Sequence, residues 1–212
     1  LSGLVGSEMC IRDRFNMEPN MIESSNFKTP QEDFWAGDFG DDYIQRNQGE
    51  ELLAANLNFF SKSLQSVPRF NAAIEFGANI GMNIKALKLL YPHCDLSGIE
   101  INKRAATKLS QLIGQSNVYE GSILDFSPNK TWDLVLIKGV LIHINPSSLP
   151  NVYKSLYNSA GRYILVAEYY NPSPVSIAYR GHDDRLFKRD FAGDLLSSYP
   201  KLSLRDYGFA YR

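Results

Sequence analysis

The pattern of apolar and polar positions divides the chain near Pro68. Residues 15–42 are polar and rich in Asn, Asp and Glu, with Phe34, Trp35 and Phe39 embedded in them. From about Tyr43 to Leu64 the apolar spacing becomes helical. Leu53, Leu57, Phe60 and Leu64 fall on one face, and Asp41 or Asp42 can cap the helix. Beyond Pro68 short β-prone runs alternate with helical runs of about a dozen residues. Ala72–Phe76 reads as a strand and Met82–Leu90 as a helix stopped by Pro92. Asp95–Glu100 is a second strand, and Asn102 caps a helix running to about Ile113 with Ala105, Leu109 and Leu112 on one face. Asn117–Glu120 is a short third strand. Asp133–Ile137 is a fourth, with the apolar run expected of burial on both faces. Pro146–Tyr157 reads as a helix, Arg162–Glu168 as a fifth strand, Lys188–Leu196 as a helix and Leu202–Phe209 as a last strand.

This alternation predicts an α/β fold, a doubly wound parallel sheet with right-handed crossovers, preceded by a helical extension. In such sheets ligands bind beyond the carboxyl ends of the strands, so the loops after the strands are where chemistry is expected. Composition narrows the classes. The 212 residues carry 22 Lys+Arg against 23 Asp+Glu, so no basic excess marks a nucleic-acid surface. No apolar run approaches the roughly 18–20 residues that cross a bilayer. Two cysteines and three histidines, His93, His143 and His182, leave no basis for a disulfide scaffold or a metal site.

The loop after the first strand reads Glu75-Phe76-Gly77-Ala78-Asn79-Ile80-Gly81. Gly77 and Gly81 allow a sharp turn and close ligand approach, and the next helix aims its N-terminus at that space. The spacing is not the dinucleotide fingerprint, which disfavours a nicotinamide dehydrogenase. It resembles motif I of class I S-adenosylmethionine-dependent methyltransferases, with Asn79 where a middle glycine is usual. Glu100, ending the second strand, can accept hydrogen bonds from vicinal ribose hydroxyls, and Ile101 follows it. An NAD enzyme would place an acid similarly. Gly121-Ser122-Ile123-Leu124-Asp125, after the third strand, resembles that family's adenine site. There the resemblance implies Asp125 on the adenine amino group, a backbone N–H at Ile123 or Leu124 on a ring nitrogen, and Ser122 beside them. Trp132 to Ile144 resembles motif IV, with Lys138 at the methionine end and His143 bordering the acceptor. His143 is the candidate proton acceptor; a packing histidine is the competing reading. The same resemblance implies that Glu75 helps hold the methionine end of S-adenosylmethionine.

The flanks carry a narrower resemblance. Phe34-Trp35-Ala36-Gly37-Asp38-Phe39-Gly40-Asp41-Asp42-Tyr43-Ile44-Gln45-Arg46-Asn47 is similar to the N-terminal signature of the pseudaminic acid biosynthesis-associated methylases. So are Leu186 to Asp194 and Asp206-Tyr207-Gly208-Phe209. The resemblance implies a bacterial, cytoplasmic enzyme methylating N or O of a small sugar-type acceptor, with no membrane or nucleic-acid partner. The acceptor pocket is then expected from Trp35 and Tyr43, the loop after strand four, and Tyr169, Tyr170, Arg180 and Arg185 after strand five. Aromatic faces suit a sugar or sulfonium, and the arginines a carboxylate or phosphate. Non-catalytic binding, or methylation of another small molecule, protein or RNA, remains an alternative.

Both ends carry expectations of their own. Leu4 to Asp13, Leu-Val-Gly-Ser-Glu-Met-Cys-Ile-Arg-Asp, resembles the translation of a sequencing-library adapter, so residues 1–14 read as a non-native leader. Without them Cys94 is the lone cysteine, a weak pointer to a reducing compartment. Residues 15–68 then form a helical lid segment and 69–212 the cofactor-binding domain. The family's sheet ends in a hairpin whose final antiparallel strand inserts beside strand five, and the chain is expected to lack that strand and to be a fragment.

Overall fold

The computed structural model describes residues 27–210. The expected leader, residues 1–14, lies outside the described residues. Three short helices come first: α1 (Pro30–Ala36), α2 (Asp38–Arg46) and α3 (Glu50–Ser63). The single helix expected over 43–64 is therefore divided. Gly37 separates α1 from α2 in extended backbone, and Gly49, at φ 110°, lies between α2 and α3. Asp41 is not a cap. The cap that forms is Thr29, in a reciprocal box with Glu32 at the start of α1. The anticipated apolar face of α3 does form: Phe60 and Leu64 are buried and Leu53 and Leu57 pack against the same core.

The rest alternates as the pattern predicts: β1 (Ala72–Phe76), α4 (Met82–Leu90), β2 (Asp95–Glu100), α5 (Lys103–Ile113), β3 (Val118–Glu120), β4 (Trp132–Lys138), α6 (Leu149–Ser159) and β5 (Ala160–Ala167). The five strands form one parallel sheet in the order β3-β2-β1-β4-β5. Side chains alternate between two cores, as a parallel sheet covered on both faces requires. Ile74, Phe76, Val135 and Ile137 enter one core with α6, and Ala73, Leu134 and Leu136 enter the other with α3, α4 and α5. Trp132 is 1% exposed, and its Nε1 donates to Ser97 Oγ at 3.2 Å across the sheet. Chain order reverses between β1 and β4, so the two loops leaving those strands diverge and open a cleft at their carboxyl ends.

The segment after β5 departs from expectation. Val175–Tyr179 (β6) and His182–Lys188 (β7) form a separate antiparallel hairpin, and α7 (Phe191–Ser198) follows. Arg180 and Gly181 both take positive φ, 49° and 85°, which is the requirement of a two-residue type I′ turn. Leu202–Phe209, expected as a strand, has no regular structure, nor has Ala210. Leu204, Tyr207 and Phe209 are exposed, and Ser66 Oγ donates to Asp206 Oδ2 at 2.8 Å. Among the described residues β5 pairs with β4 alone.

Candidate functional site

A cleft of about 2240 Å³ opens at the carboxyl ends of the strands and continues along β5 to α7 and residues 201–210. Its floor begins at the turn after β1. Gly77 sits at φ 76°, and a Cβ there would lie 2.6 Å from Val140 Cγ2, so glycine is what lets this turn meet the loop after β4. Asn79 occupies the left-handed region at φ 48° and steadies it through its own side chain, with Oδ1 accepting from Ile80 N at 2.6 Å. Gly81 closes the turn at φ 83° as the N-cap of α4.

Three carboxylates underlie the cleft, Glu75 and Glu100 buried and Glu168 half-buried. Glu100 Oε2 accepts from Asn79 N at 2.6 Å and Oε1 from Asn102 N at 2.7 Å, so one side chain ties the turn after β1 to the turn after β2. Burial raises its pKa to about 6 against the pull of these donors. An ionised carboxylate has about four acceptor positions, so Glu100 retains capacity for ligand hydroxyls. Ile101 lies beside it in the cleft wall. Glu75 is buried beneath the cleft. Its Oε1 accepts from Asn83 Nδ2 at 2.6 Å, while Glu75 Oε2 and Asn83 Oδ1 are buried without a hydrogen-bond partner. Desolvation drives Glu75 up to about 8, opposed by Asn83 and by the positive charge of Lys138. The third is Glu168, just after β5. It accepts from Val140 N and Leu141 N, each at 2.9 Å, and burial raises it to about 7. Lys138, at the end of β4, donates to buried Asn56 Oδ1 at 3.3 Å and exerts its charge on both Glu75 and Glu168.

The loop after β3 divides the residues expected on an adenine ring. Ser122, Ile123 and Leu124 line the cleft. Asp125 does not, because the turn closed by Asp125 N on Ser122 O directs it to the surface, where it pairs with Lys28. Ser122 Oγ donates to Glu32 Oε1, so the first helix is latched onto this loop. The latch is repeated elsewhere. Asn102 Nδ2 donates to Asp41 Oδ1 at 2.9 Å and to Ala36 O at 3.2 Å, and Gln31 Nε2 donates to Asp184 O at 2.8 Å. Helices α1 and α2 thus form a cover whose underside is aromatic. Trp35 meets Phe34, Phe39 and Tyr43 edge-on and lies 4.6 Å from the His143 ring.

His143 is buried in the loop after β4, its Nδ1 2.6 Å from Arg185 O. A carbonyl can only accept, so Nδ1 carries the proton and Nε2 is the ring's acceptor. Burial lowers its pKa and keeps the ring neutral near pH 7. The ring packs against Trp35 and Tyr179, as the packing reading expects. Tyr43, Tyr169 and Tyr170 line the cleft with it. The two arginines do not. Arg180 is exposed at the hairpin turn, and Arg185 packs over the Phe34 ring and pairs with Asp184 at 2.5 Å. Glu32, Asn83 and Glu168 were not singled out from sequence. Glu168 is expected as the last residue of the fifth strand and stands just after it, since β5 ends at Ala167; a strand-end acid is the one local signal it offers. Among the described residues, no cluster of three or more His, Cys, Asp or Glu could hold a metal, and no helix is long and apolar enough to cross a membrane.

No family model and no curated protein matches the sequence. Solved structures do match in fold. The plantazolicin methyltransferase BpumL in complex with SAH superposes with a TM-score of 0.52 at 18% identity, over 66% of this chain and 57% of that one. The sugar N-methyltransferase KedS8 from Streptoalloteichus gives 0.51 at 10% identity, over 80% and 68%. The mitomycin 7-O-methyltransferase MmcR gives 0.57 at 14% identity, over 80% and 54%. The chain spans under three fifths of the length of the plantazolicin enzyme. Its central sheet and flanking helices have the Rossmann-like fold of these methyltransferases.

Proposed function

We propose that the protein is an S-adenosylmethionine-dependent methyltransferase acting on N or O of a small acceptor, of the sugar type that the resemblance to pseudaminic acid-associated methylases implies. The observation that carries this reading is the set of acceptors around the first loop. Glu75 Oε2 and Asn83 Oδ1 are buried and unpartnered, and Glu100 has acceptor capacity at the end of β2. Together they fit a ligand with an ammonium at one end and ribose hydroxyls further along. Asn83 and Glu75 would hold the methionine amino group, the turn through Gly77, Asn79 and Gly81 its carboxylate side, Glu100 the ribose, and Ser122 to Leu124 the adenine. Bound there, such a donor supplies an electrophilic methyl carbon on a sulfonium.

The remaining roles belong to the chain. The cover of α1 and α2, with Trp35 and Tyr43, excludes water and sets the acceptor's approach, the alignment on which a one-step displacement depends. His143, neutral and with Nε2 as its acceptor, stands on the acceptor side as a candidate proton acceptor. Calorimetric titration of S-adenosylhomocysteine tests the reading. Micromolar binding by the wild type, weakened at least tenfold in a folded Glu100→Ala variant, supports it. Absence of binding by a folded wild-type protein overturns it.

A further inference from the structure

Glu168 combines two observations that the cofactor assignment leaves unused. Its Oε1 is satisfied by Val140 N and Leu141 N, whereas Oε2 is buried with no hydrogen-bond partner. Next to it across the β4–β5 ladder, where Lys138 pairs with Ala167, stands Gly139 at φ 66°. No atom lies within 4 Å of the place a Gly139 Cβ would occupy. An oxygen lacking a hydrogen-bond partner therefore lies just beneath the cleft wall, and both residues line the cleft on the side of His143 and Tyr169.

We propose that Glu168 receives the acceptor's nitrogen, and that the acceptor is a primary or secondary amine rather than an alcohol. This rests on the methyltransferase reading above and narrows it. A buried carboxylate oxygen without a donor is destabilising, and a bound donor group relieves it. An ammonium offers up to three N–H donors and a full positive charge; a hydroxyl offers one neutral donor. The region holds three carboxyl groups, Glu75, Glu100 and Glu168, and Lys138 offsets part of their charge. From α6 the group facing Glu168 is Tyr153, whose hydroxyl donates to Asp194 at 3.2 Å, and Asp194 is paired with Arg189 at 2.6 Å.

The chemistry balances. The bound ammonium transfers one proton to Glu168 Oε2, which frees the nitrogen lone pair. That pair forms the new N–C bond to the methyl carbon as the C–S bond breaks, and the bonding electrons remain on sulfur as a neutral thioether. The methylated nitrogen then carries the positive charge. A carboxylate raised to about 7 holds a proton better than an exposed one does, so it suits this exchange.

The test uses matched probes, cyclohexylamine and cyclohexanol, titrated into the full chain saturated with S-adenosylhomocysteine. The readout is the side-chain carboxyl ¹³C resonance of Glu168, assigned by its loss in Glu168→Gln. Glutamine keeps an acceptor oxygen for the Val140 and Leu141 N–H groups and removes the charge. We expect saturable displacement by the amine and none by the alcohol. Amine affinity should fall at least tenfold in Glu168→Gln, while S-adenosylhomocysteine affinity stays within twofold. Equal displacement by both probes, or by neither, overturns the amine assignment, and this wild-type comparison stands even if the variant fails to fold. Failure of S-adenosylhomocysteine to bind the folded wild type overturns the methyltransferase reading itself, and the amine assignment with it.

Discussion

Replacing Glu75 by glutamine should make the protein more stable in alkaline solution. Glu75 is 1% exposed, and desolvation raises its pKa from the ordinary 4.5 to about 8. The folded state therefore keeps a proton that the unfolded chain releases. Stability from such a group is undiminished below pH 4.5 and falls as pH rises towards 8, because the native state binds more protons than the unfolded state over that window. Between pH 6 and pH 9 this side chain should cost roughly 2–3 kcal/mol, taking 1.36 kcal/mol for each pH unit up to 8. Glu100, raised to about 6, and Glu168, raised to about 7, add slopes of the same sign, so the wild type should weaken overall.

Glu75→Gln isolates one contribution. Glutamine still offers an oxygen to Asn83 Nδ2, and it has no proton to lose. Urea unfolding at pH 6 and pH 9, for wild type and variant, gives four stabilities from which the difference of differences is read. The variant should retain at pH 9 about 2 kcal/mol that the wild type loses. Parallel losses in the two proteins would show that Glu75 is ionised in the fold at both pH values, and the argument from its burial would fail. The same protonation has a binding signature. A ligand ammonium meeting Glu75 favours the carboxylate, so S-adenosylhomocysteine binding at pH 7 should release a fraction of a proton. Calorimetry in buffers of different ionisation enthalpy would detect it, and Glu75→Gln should abolish it.

Three further outcomes follow from the cover and the hairpin. Gly40→Ala should destabilise by about 1–3 kcal/mol and displace Trp35, since the added Cβ would lie 1.9 Å from Trp35 O; thermal unfolding and tryptophan fluorescence report both effects. Thr29→Ala removes one half of the capping box and should cost about 1 kcal/mol, with faster amide exchange over residues 30–36 and no change in the sheet. Arg180→Asn should stabilise by a few tenths of a kcal/mol, because Asn accepts the φ of 49° more readily, and should leave S-adenosylhomocysteine affinity unchanged because Arg180 is not in the cleft.

The parallel strands were legible because each of them is governed by one strong local signal. Burial on both faces makes β4 a continuous apolar run, and β1 and β2 match their anticipated limits. The helical extension was harder to read. Its stripe of Leu53, Leu57, Phe60 and Leu64 was correct, but α1 and α2 are built from tertiary contacts: Glu32 with Ser122, Asp41 with Asn102, and aromatic rings against His143. No periodicity announces such contacts. The β6–β7 hairpin is exposed on most positions, so its apolar alternation was faint, although the Arg180-Gly181 pair suited a type I′ turn. The segment 202–210 carries alternating apolar residues yet pairs with no strand, and without a ladder partner alternation alone does not order a strand.

The site divides along the same line. Residues whose role is to shape backbone, Gly77, Asn79 and Gly81, could be placed from their spacing, because their unusual φ values are a local demand. Residues whose role depends on direction could not. Asp125 and Ser122 are three positions apart in one turn, but the turn sends one outward to Lys28 and the other inward to Glu32. Arg185 and His143 were both expected on the acceptor. The backbone of the first fixes the tautomer of the second, while its guanidinium lies on Phe34 outside the cleft. No local pattern marks Glu168 or Asn83, because what distinguishes them is an unsatisfied atom, and satisfaction is a property of the assembled neighbourhood. An acid at a strand end is common. An acid at a strand end with one oxygen holding a neighbouring loop and the other buried under the cleft wall without a hydrogen-bond partner is a place for a ligand's donor, and that is why the acceptor's chemistry is best sought at Glu168 and not at the arginines.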